Sequence, residues 1–157
     1  MTGRSVGHHE GVLTEPERSF LASARRAVLV TIAPDGRPRP VPICFVVDGE
    51  RPVLYTPIDD KPKRDDDPLA LARVRDIRAD PRVTVLVDRW NENWTRLAWL
   101  RCDGRAIILE PTAPEHPDVV AALRAKYPQY AAHHLETRPI IRIEIERATS
   151  WGLPDPP

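Results

Sequence analysis

Residues 27–43 run Ala27-Val28-Leu29-Val30-Thr31-Ile32-Ala33-Pro34-Asp35-Gly36-Arg37-Pro38-Arg39-Pro40-Val41-Pro42-Ile43. The first seven are β-branched or apolar, the composition of a strand. Pro34-Asp35-Gly36 then supplies a fixed φ, a side-chain acceptor and a residue free to turn, which together make a tight turn. The segment after the turn is extended, with proline at every second position. In a strand, alternate N–H groups point toward the same neighbour. Pro38, Pro40 and Pro42 therefore remove donors from one edge only, and the segment pairs on its other edge. Two runs joined by so short a turn lie antiparallel. A parallel βαβ sheet alternates strand with helix and has no hairpins, so this stretch excludes it.

Working outward, Thr14-Glu15-Pro16-Glu17 carries a capping residue, a proline in the first turn and a glutamate at the capping-box position, and predicts a short amphipathic helix over 15–25. Asp48-Gly49 signals a hairpin into a third strand, Arg51 to Thr56. Residues 57–67 are polar and charged. Asp67 can cap a helix with Pro68 at its first position; Leu71, Val74 and Ile77 recur at helical spacing, and Asp80-Pro81 ends it. Val83 to Val87 is a strand. A tryptophan-rich connector, Trp90 to Thr95, leads to a strand-pair candidate, Leu97 to Glu110, broken at Asp103-Gly104. Pro117 to Tyr127 predicts a helix and Ile140 to Ile145 a last strand. The pattern is mainly β: an antiparallel barrel with helices packed outside, one domain over 14–157 behind a flexible tail of residues 1–13.

The chain has 157 residues, enough for one substantial core. Hydrophobic residues make up 41%, which excludes a disordered chain. Proline is the outlier at 18 residues, about twice the usual ~5%, so short elements and sharp turns are expected. Lys+Arg and Asp+Glu both number 23. Zero net charge gives no bulk attraction to nucleic acid or to an anionic membrane, although Arg and Trp interleave over 89–101. No apolar run is long enough to cross a bilayer, and residues 1–11 hold no secretory signal. Cys44 and Cys102 are far apart, which argues against a disulfide scaffold or a zinc knot and makes a reducing cytoplasm the default.

Two clusters could carry chemistry. Lys61 and Lys63, two of only three lysines, stand with Arg64 just ahead of a helix N-terminus, where free N–H groups favour an anion. The same loop reads equally as a solvated one whose aspartates, Asp59, Asp60 and Asp65 to Asp67, neutralise the cations. Trp90, Trp94 and Trp99 are three of the four tryptophans, and such rings cover planar ligands or fill interfaces. Adjacent His133 and His134 diverge on a helix, and no metal site is expected. No nucleophile elbow, P-loop, zinc motif or GxGxxG occurs, and nothing identifies a catalytic residue. An enzyme of this composition would rely on a cofactor for its reactive group.

Several segments in order resemble the pyridoxamine 5′-phosphate oxidase-like split barrels, in particular the branch that uses the deazaflavin coenzyme F420. They are Asp35-Gly36-Arg37-Pro38 with Val41-Pro42-Ile43-Cys44-Phe45, Tyr55-Thr56 followed by Asp59-Asp60-Lys61-Pro62-Lys63, Asp80-Pro81-Arg82-Val83, the stretch from Asp88 to Trp94, Trp99-Leu100-Arg101 ahead of Gly104, and Tyr127-Pro128-Gln129-Tyr130. The resemblance implies a six-stranded antiparallel split β-barrel of the FMN-binding type, a homodimer with two cofactor sites at its interface. It places Arg39, Val41, Ile43, Tyr55 and Thr56 along the flavin ring and Lys61 and Lys63 on its phosphate. It brings Trp94, Trp99 and Arg101 from the other protomer. The implied function is hydride transfer between reduced F420 and a small conjugated or quinone-like acceptor; the alternatives are an FMN-binding oxidase-like protein and a non-catalytic cofactor-binding module. Two departures separate the chain from pyridoxine phosphate oxidation. Trp151-Gly152-Leu153-Pro154 runs out with no arginine for that substrate, and Trp99 stands where that branch has a glutamine.

Overall fold

A computed structural model describes residues 11–58 and 71–154. Seven strands form one curled antiparallel sheet: β1 Ala27–Ile32, β2 Pro38–Ile43, β3 Val46–Val47, β4 Val53–Pro57, β5 Arg82–Arg89, β6 Ala98–Leu109 and β7 Ile140–Trp151, in the order β2-β1-β5-β6-β7-β4-β3. The resemblance implied six strands; the additional one is the two-residue β3. Among the described residues, three α-helices flank the sheet: α1 Glu15–Ser23, α2 Ala72–Ala79 and α3 His116–Lys126.

The hairpin of β1 and β2 forms as expected, with Val28 opposite Pro42, Val30 opposite Pro40 and Ile32 opposite Pro38. β2 pairs with β1 alone and is an edge of the sheet, the position its donor-poor side demands. The chain passes from β2 through Cys44 and Phe45 into β3, which pairs with β4 at the opposite end of the order. The Thr56 hydroxyl donates to the Cys44 carbonyl at 2.8 Å, so the sheet's two ends meet at this corner.

The expected α1 cap is present in full. Glu17 N–H donates to Thr14 Oγ1 at 3.3 Å, and Thr14 N–H donates to Glu17 Oε2 at 3.1 Å. α2 begins at Ala72 with Leu71 as its N-cap, later than the spacing predicted. Asp67, Pro68 and the loop with Asp59, Asp60, Lys61, Lys63 and Arg64 lie outside the described residues, as does most of the N-terminal tail. Residues 98–109 are one strand, not a pair broken at Asp103-Gly104. The register shifts there because β7 carries an extra residue, Glu146, and a Cβ on Gly104 would meet the Glu144 carbonyl oxygen at 2.1 Å. The glycine serves a close backbone approach rather than a turn.

Two cores result. One fills the sheet's inner face, with Leu29, Val85 and Leu100 against Leu21 of α1 and Val74 and Ile77 of α2. The other lies under α3, where Val119, Val120 and Leu123 pack on Tyr55, Leu109 and Ile140. Cys102 is buried in the first core, while Cys44 is half-buried at the β2–β3 corner. No helix among the described residues is long and apolar enough to cross a membrane. Nor do any three of His, Cys, Asp and Glu gather there as a metal would require.

Candidate functional site

The alternation of β2 fixes where its predicted ligand residues stand. Arg39, Val41 and Ile43 pair with Thr31, Leu29 and Ala27, all on the inner face. Ile43 is buried in the first core and Val41 packs against it half-buried. Arg39 Nε donates to Asp76 Oδ2 on α2 at 2.7 Å, and the Thr31 hydroxyl donates to the same oxygen at 2.7 Å. The Arg39 side chain remains 44% exposed while Asp76 is 2% exposed, so one carboxylate is held inside by a guanidinium that reaches solvent.

On β4, Tyr55 and Thr56 leave the strand on opposite faces. Thr56 belongs to the β2–β3 corner described above. Tyr55 lies under α3, its hydroxyl donating to Glu115 Oε2 at 2.6 Å and accepting from Arg51 at 3.3 Å. Burial, with the Glu115 carboxylate beside it, pushes this phenol above its ordinary range. Tyr55 therefore pins α3 to the sheet. β4 ends at Pro57, and this part of the described chain stops at Ile58, ahead of Lys61 and Lys63.

Trp99 and Arg101 occupy the outer face of β6. By register, Arg101 lies beside Leu86 and Thr149, and Trp99 beside Asp88 and Trp151. The Arg101 guanidinium sits 6.0 Å from the Trp99 ring centroid. It makes no hydrogen bond or salt bridge among the described residues. Trp151 is 37% exposed. It is held beside Trp99 because Gly152 takes φ +80 over the start of β6, where a Cβ would meet the Leu97 carbonyl oxygen at 2.1 Å. Trp94, on the turn Trp94–Arg96, is 69% exposed.

The outer face continues across β5 and β1 with Leu86 and Val28, ending at Pro42. Farther along it, a groove of about 410 Å³ is lined by Val30, Ile32, Thr84, Asp103 and Arg147. There Thr84 Oγ1 and Arg147 each donate to Asp103 at 2.8 Å. Burial pushes the Asp103 carboxyl up, but those two donors outweigh it and hold the group below its ordinary value.

Among the described residues, Tyr55 is taken up under α3 and the other predicted site residues fall into two groups. Arg39, Val41, Ile43 and Thr56 gather on the inner face near the β2–β4 corner; Trp99 and Arg101 stand on the outer face of β6, three strands from β2 and two from β4 in the sheet order, with Trp94 on the adjoining connector. Lys61 and Lys63 lie outside the described residues. Asp76 and Trp151 were not anticipated. Asp76 reads as one more polar position on a helix face, whereas Trp151 could have been found by carrying the last strand beyond Ile145.

The donor set suits a planar, negatively charged ligand. Paired indoles give a flat apolar surface and Arg101 an unengaged guanidinium. Arg39, already engaged with Asp76, adds only its remaining exposed N–H groups.

A family model described as pyridoxamine 5′-phosphate oxidase matches residues 13–152. A conserved hypothetical protein of Mycobacterium tuberculosis is similar in structure, with TM-score 0.69 and 24% identity over 96% of this chain and 95% of that one. HutZ, the heme storage protein of Vibrio cholerae, matches with TM-score 0.67 and 17% identity over 89% and 94%. An F420 reductase matches with TM-score 0.62 and 23% identity over 84% and 94%. At these identities the likeness is one of fold.

Proposed function

The chain belongs to the pyridoxamine 5′-phosphate oxidase family, and on that premise we propose that it is an oxidoreductase moving a hydride between reduced coenzyme F420 and a small conjugated or quinone-like acceptor, with the cofactor bound between two copies of the chain. The observation that carries this reading is the division of Arg39, Val41 and Ile43 from Trp99 and Arg101 across the two faces of one sheet. One chain cannot bring both sets onto a single ring. A second copy laid on the outer face can, because Val28, Leu86, Trp99 and Trp151 give it an apolar surface to cover.

A bound deazaflavin supplies the hydride. The chain's residues supply position, charge and the exclusion of water. Lys61 and Lys63 hold the phosphate as point charges, Val41 and the edge of β2 lie along the ring, and Trp94, Trp99 and Arg101 of the second copy cover it and shape the acceptor pocket. The fold shared with an F420 reductase supports F420; Trp99, standing where the pyridoxine phosphate oxidases that the chain resembles have a glutamine, speaks against pyridoxine phosphate as the substrate. FMN is the second reading, the cofactor of the split-barrel type that the sequence resembles.

Titration with F420 and with FMN separates the two, and oxidation of reduced F420 by enones and quinones tests turnover. Tight F420 binding without turnover on any acceptor would make the chain a cofactor-binding module. The Lys61→Ala/Lys63→Ala double variant should lose about 100-fold in cofactor affinity, the loss of two charge-assisted contacts, with the melting temperature of the apo protein unchanged. Unchanged affinity removes the phosphate anchor.

A further inference from the structure

Lys126 closes the last turn of α3, and its ammonium nitrogen is buried with no hydrogen-bond partner. The centroid of the Phe45 ring lies 4.0 Å from that nitrogen and that of Tyr127 5.4 Å. The Arg25 guanidinium stands 4.8 Å from the same Tyr127 ring. Among the described residues no carboxylate pairs with either cation. The ionisable groups facing the amine are Arg25 from the α1–β1 link, Cys44 from the β2–β3 corner and the adjoining Tyr127 phenol. Arg124, on the same helix, is engaged with Glu136 and with the Tyr130 and His133 carbonyls. Two cations thus flank one aromatic ring with no counter-charge. Aromatic faces attract an ammonium but leave its three N–H groups without acceptors.

We propose that Lys126 is a carbon dioxide site, its amine adding carbon dioxide to form a carbamate whose negative charge Arg25 holds. In this step the Nζ lone pair attacks the carbon of carbon dioxide and the C–N bond forms. One C=O electron pair moves onto oxygen, and the N–H proton leaves to solvent. No oxidant or reductant is required. The conditions for the reaction are all local. Burial and the Arg25 charge bring the amine down to about 8, so a large share is neutral in mildly alkaline solution. The attacking group is enclosed by aromatic rings, which a small uncharged molecule enters more readily than a hydrated electrophile. The product places an anion where a second cation stood, turning the repulsion with Arg25 into attraction. The last carbonyls of α3 oppose a negative charge there, so Arg25 is what sustains the carbamate. The hydride chemistry proposed above makes no use of this cluster, so the two ideas stand or fall separately.

The test equilibrates the full-length protein with carbon-13 bicarbonate near pH 8 and traps carbamates by ethylation with triethyloxonium ion, followed by peptide mapping. A carbamate resonance in the carbon-13 spectrum should rise with dissolved carbon dioxide. The trapped ethyl carbamate should map to Lys126 and exceed severalfold that on Lys61, Lys63 or the N-terminal amine. Arg25→Gln, at an exposed position and with its fold checked by circular dichroism, should lower occupancy of Lys126 severalfold, and Lys126→Arg should abolish it. Trapping absent from Lys126, no greater there than on Lys61 and Lys63, or undiminished in Arg25→Gln would overturn the assignment. The principal readout is on the unaltered protein, so a variant that failed to fold would not shelter the proposal.

Discussion

Asp76 shows how one side chain can decide the behaviour of another in the candidate site. Its buried carboxylate has two donors, the Thr31 hydroxyl and Arg39 Nε. Removing either member of the ion pair should have unequal effects. Arg39→Ala leaves a buried charge with a single hydroxyl partner, and should cost about 2–3 kcal/mol; the full buried-pair figure is not reached because Arg39 opens to water. Asp76→Asn leaves a guanidinium that rehydrates and an amide that still accepts from Thr31, and should cost about 1 kcal/mol. Urea unfolding of both variants checks the order, and equal losses would mean that solvent already reaches Asp76. The segment Ala72 to Asp76 gives no hint of this role, because the partners lie three and four elements earlier in the chain, on β2 and β1. Lys126 offers a second test at this scale. The folded chain releases that proton near pH 8, whereas the unfolded chain keeps it to an ordinary lysine value of 10.5. Stability relative to Lys126→Met should therefore rise with pH across that window, by about 1 kcal/mol once partial exposure is allowed for. A difference flat between those two pH values counts against a desolvated amine.

Elements were legible in sequence where a local rule acts alone. The β1–β2 hairpin, its donor-poor edge and the α1 capping box all follow from residues within a few positions of one another, and all form. Asp103-Gly104 misleads for a physical reason. The dipeptide signals a hairpin, but here the glycine answers an approaching carbonyl on another strand, which no local rule contains. β7 runs on to Trp151, and its second half is hidden in the sequence because a bulge at Glu146 interrupts the alternation. The same distinction between local and distant partners can be measured at α1. Thr14→Ala removes one arm of the cap and should cost about 1 kcal/mol. Glu17→Ala also removes the acceptor for the Ser150 hydroxyl at 3.0 Å on β7, and should cost about 2–3 kcal/mol. Equal melting temperatures for the two variants would show that the tie between α1 and β7 contributes nothing.

For the molecule as a whole, the outer face is the feature a single chain leaves unexplained. Pro42, Val28 and Leu86 follow one another across β2, β1 and β5, and the Trp99–Trp151 pair lies farther along the same face. Leu86 is 39% exposed and Trp151 37%, an apolar surface of the kind partners cover. Sequence alone could name Trp99 and Arg101 but could not place them opposite Arg39 and Val41, since only the curl and register of the sheet separate the two faces. If the proposed cofactor site takes its inner-face residues from one copy and its outer-face residues from another, assembly and affinity must change together. Val28→Glu puts a charge into the apolar row without touching Trp99, Arg101 or the lysine loop. In a lone chain that position is half-buried, and the substitution should cost about 1 kcal/mol; in a covered interface the same carboxylate is desolvated and the pairing of two copies fails. Light scattering should give twice the chain mass for the unaltered protein and the single-chain mass for Val28→Glu, with the far-ultraviolet dichroism of the two alike. F420 titration should show affinity falling in the variant as the dimer is lost. A single-chain Val28→Glu that binds F420 as tightly as the unaltered protein would show that one copy holds the cofactor by itself, and the two-face site would have to be abandoned.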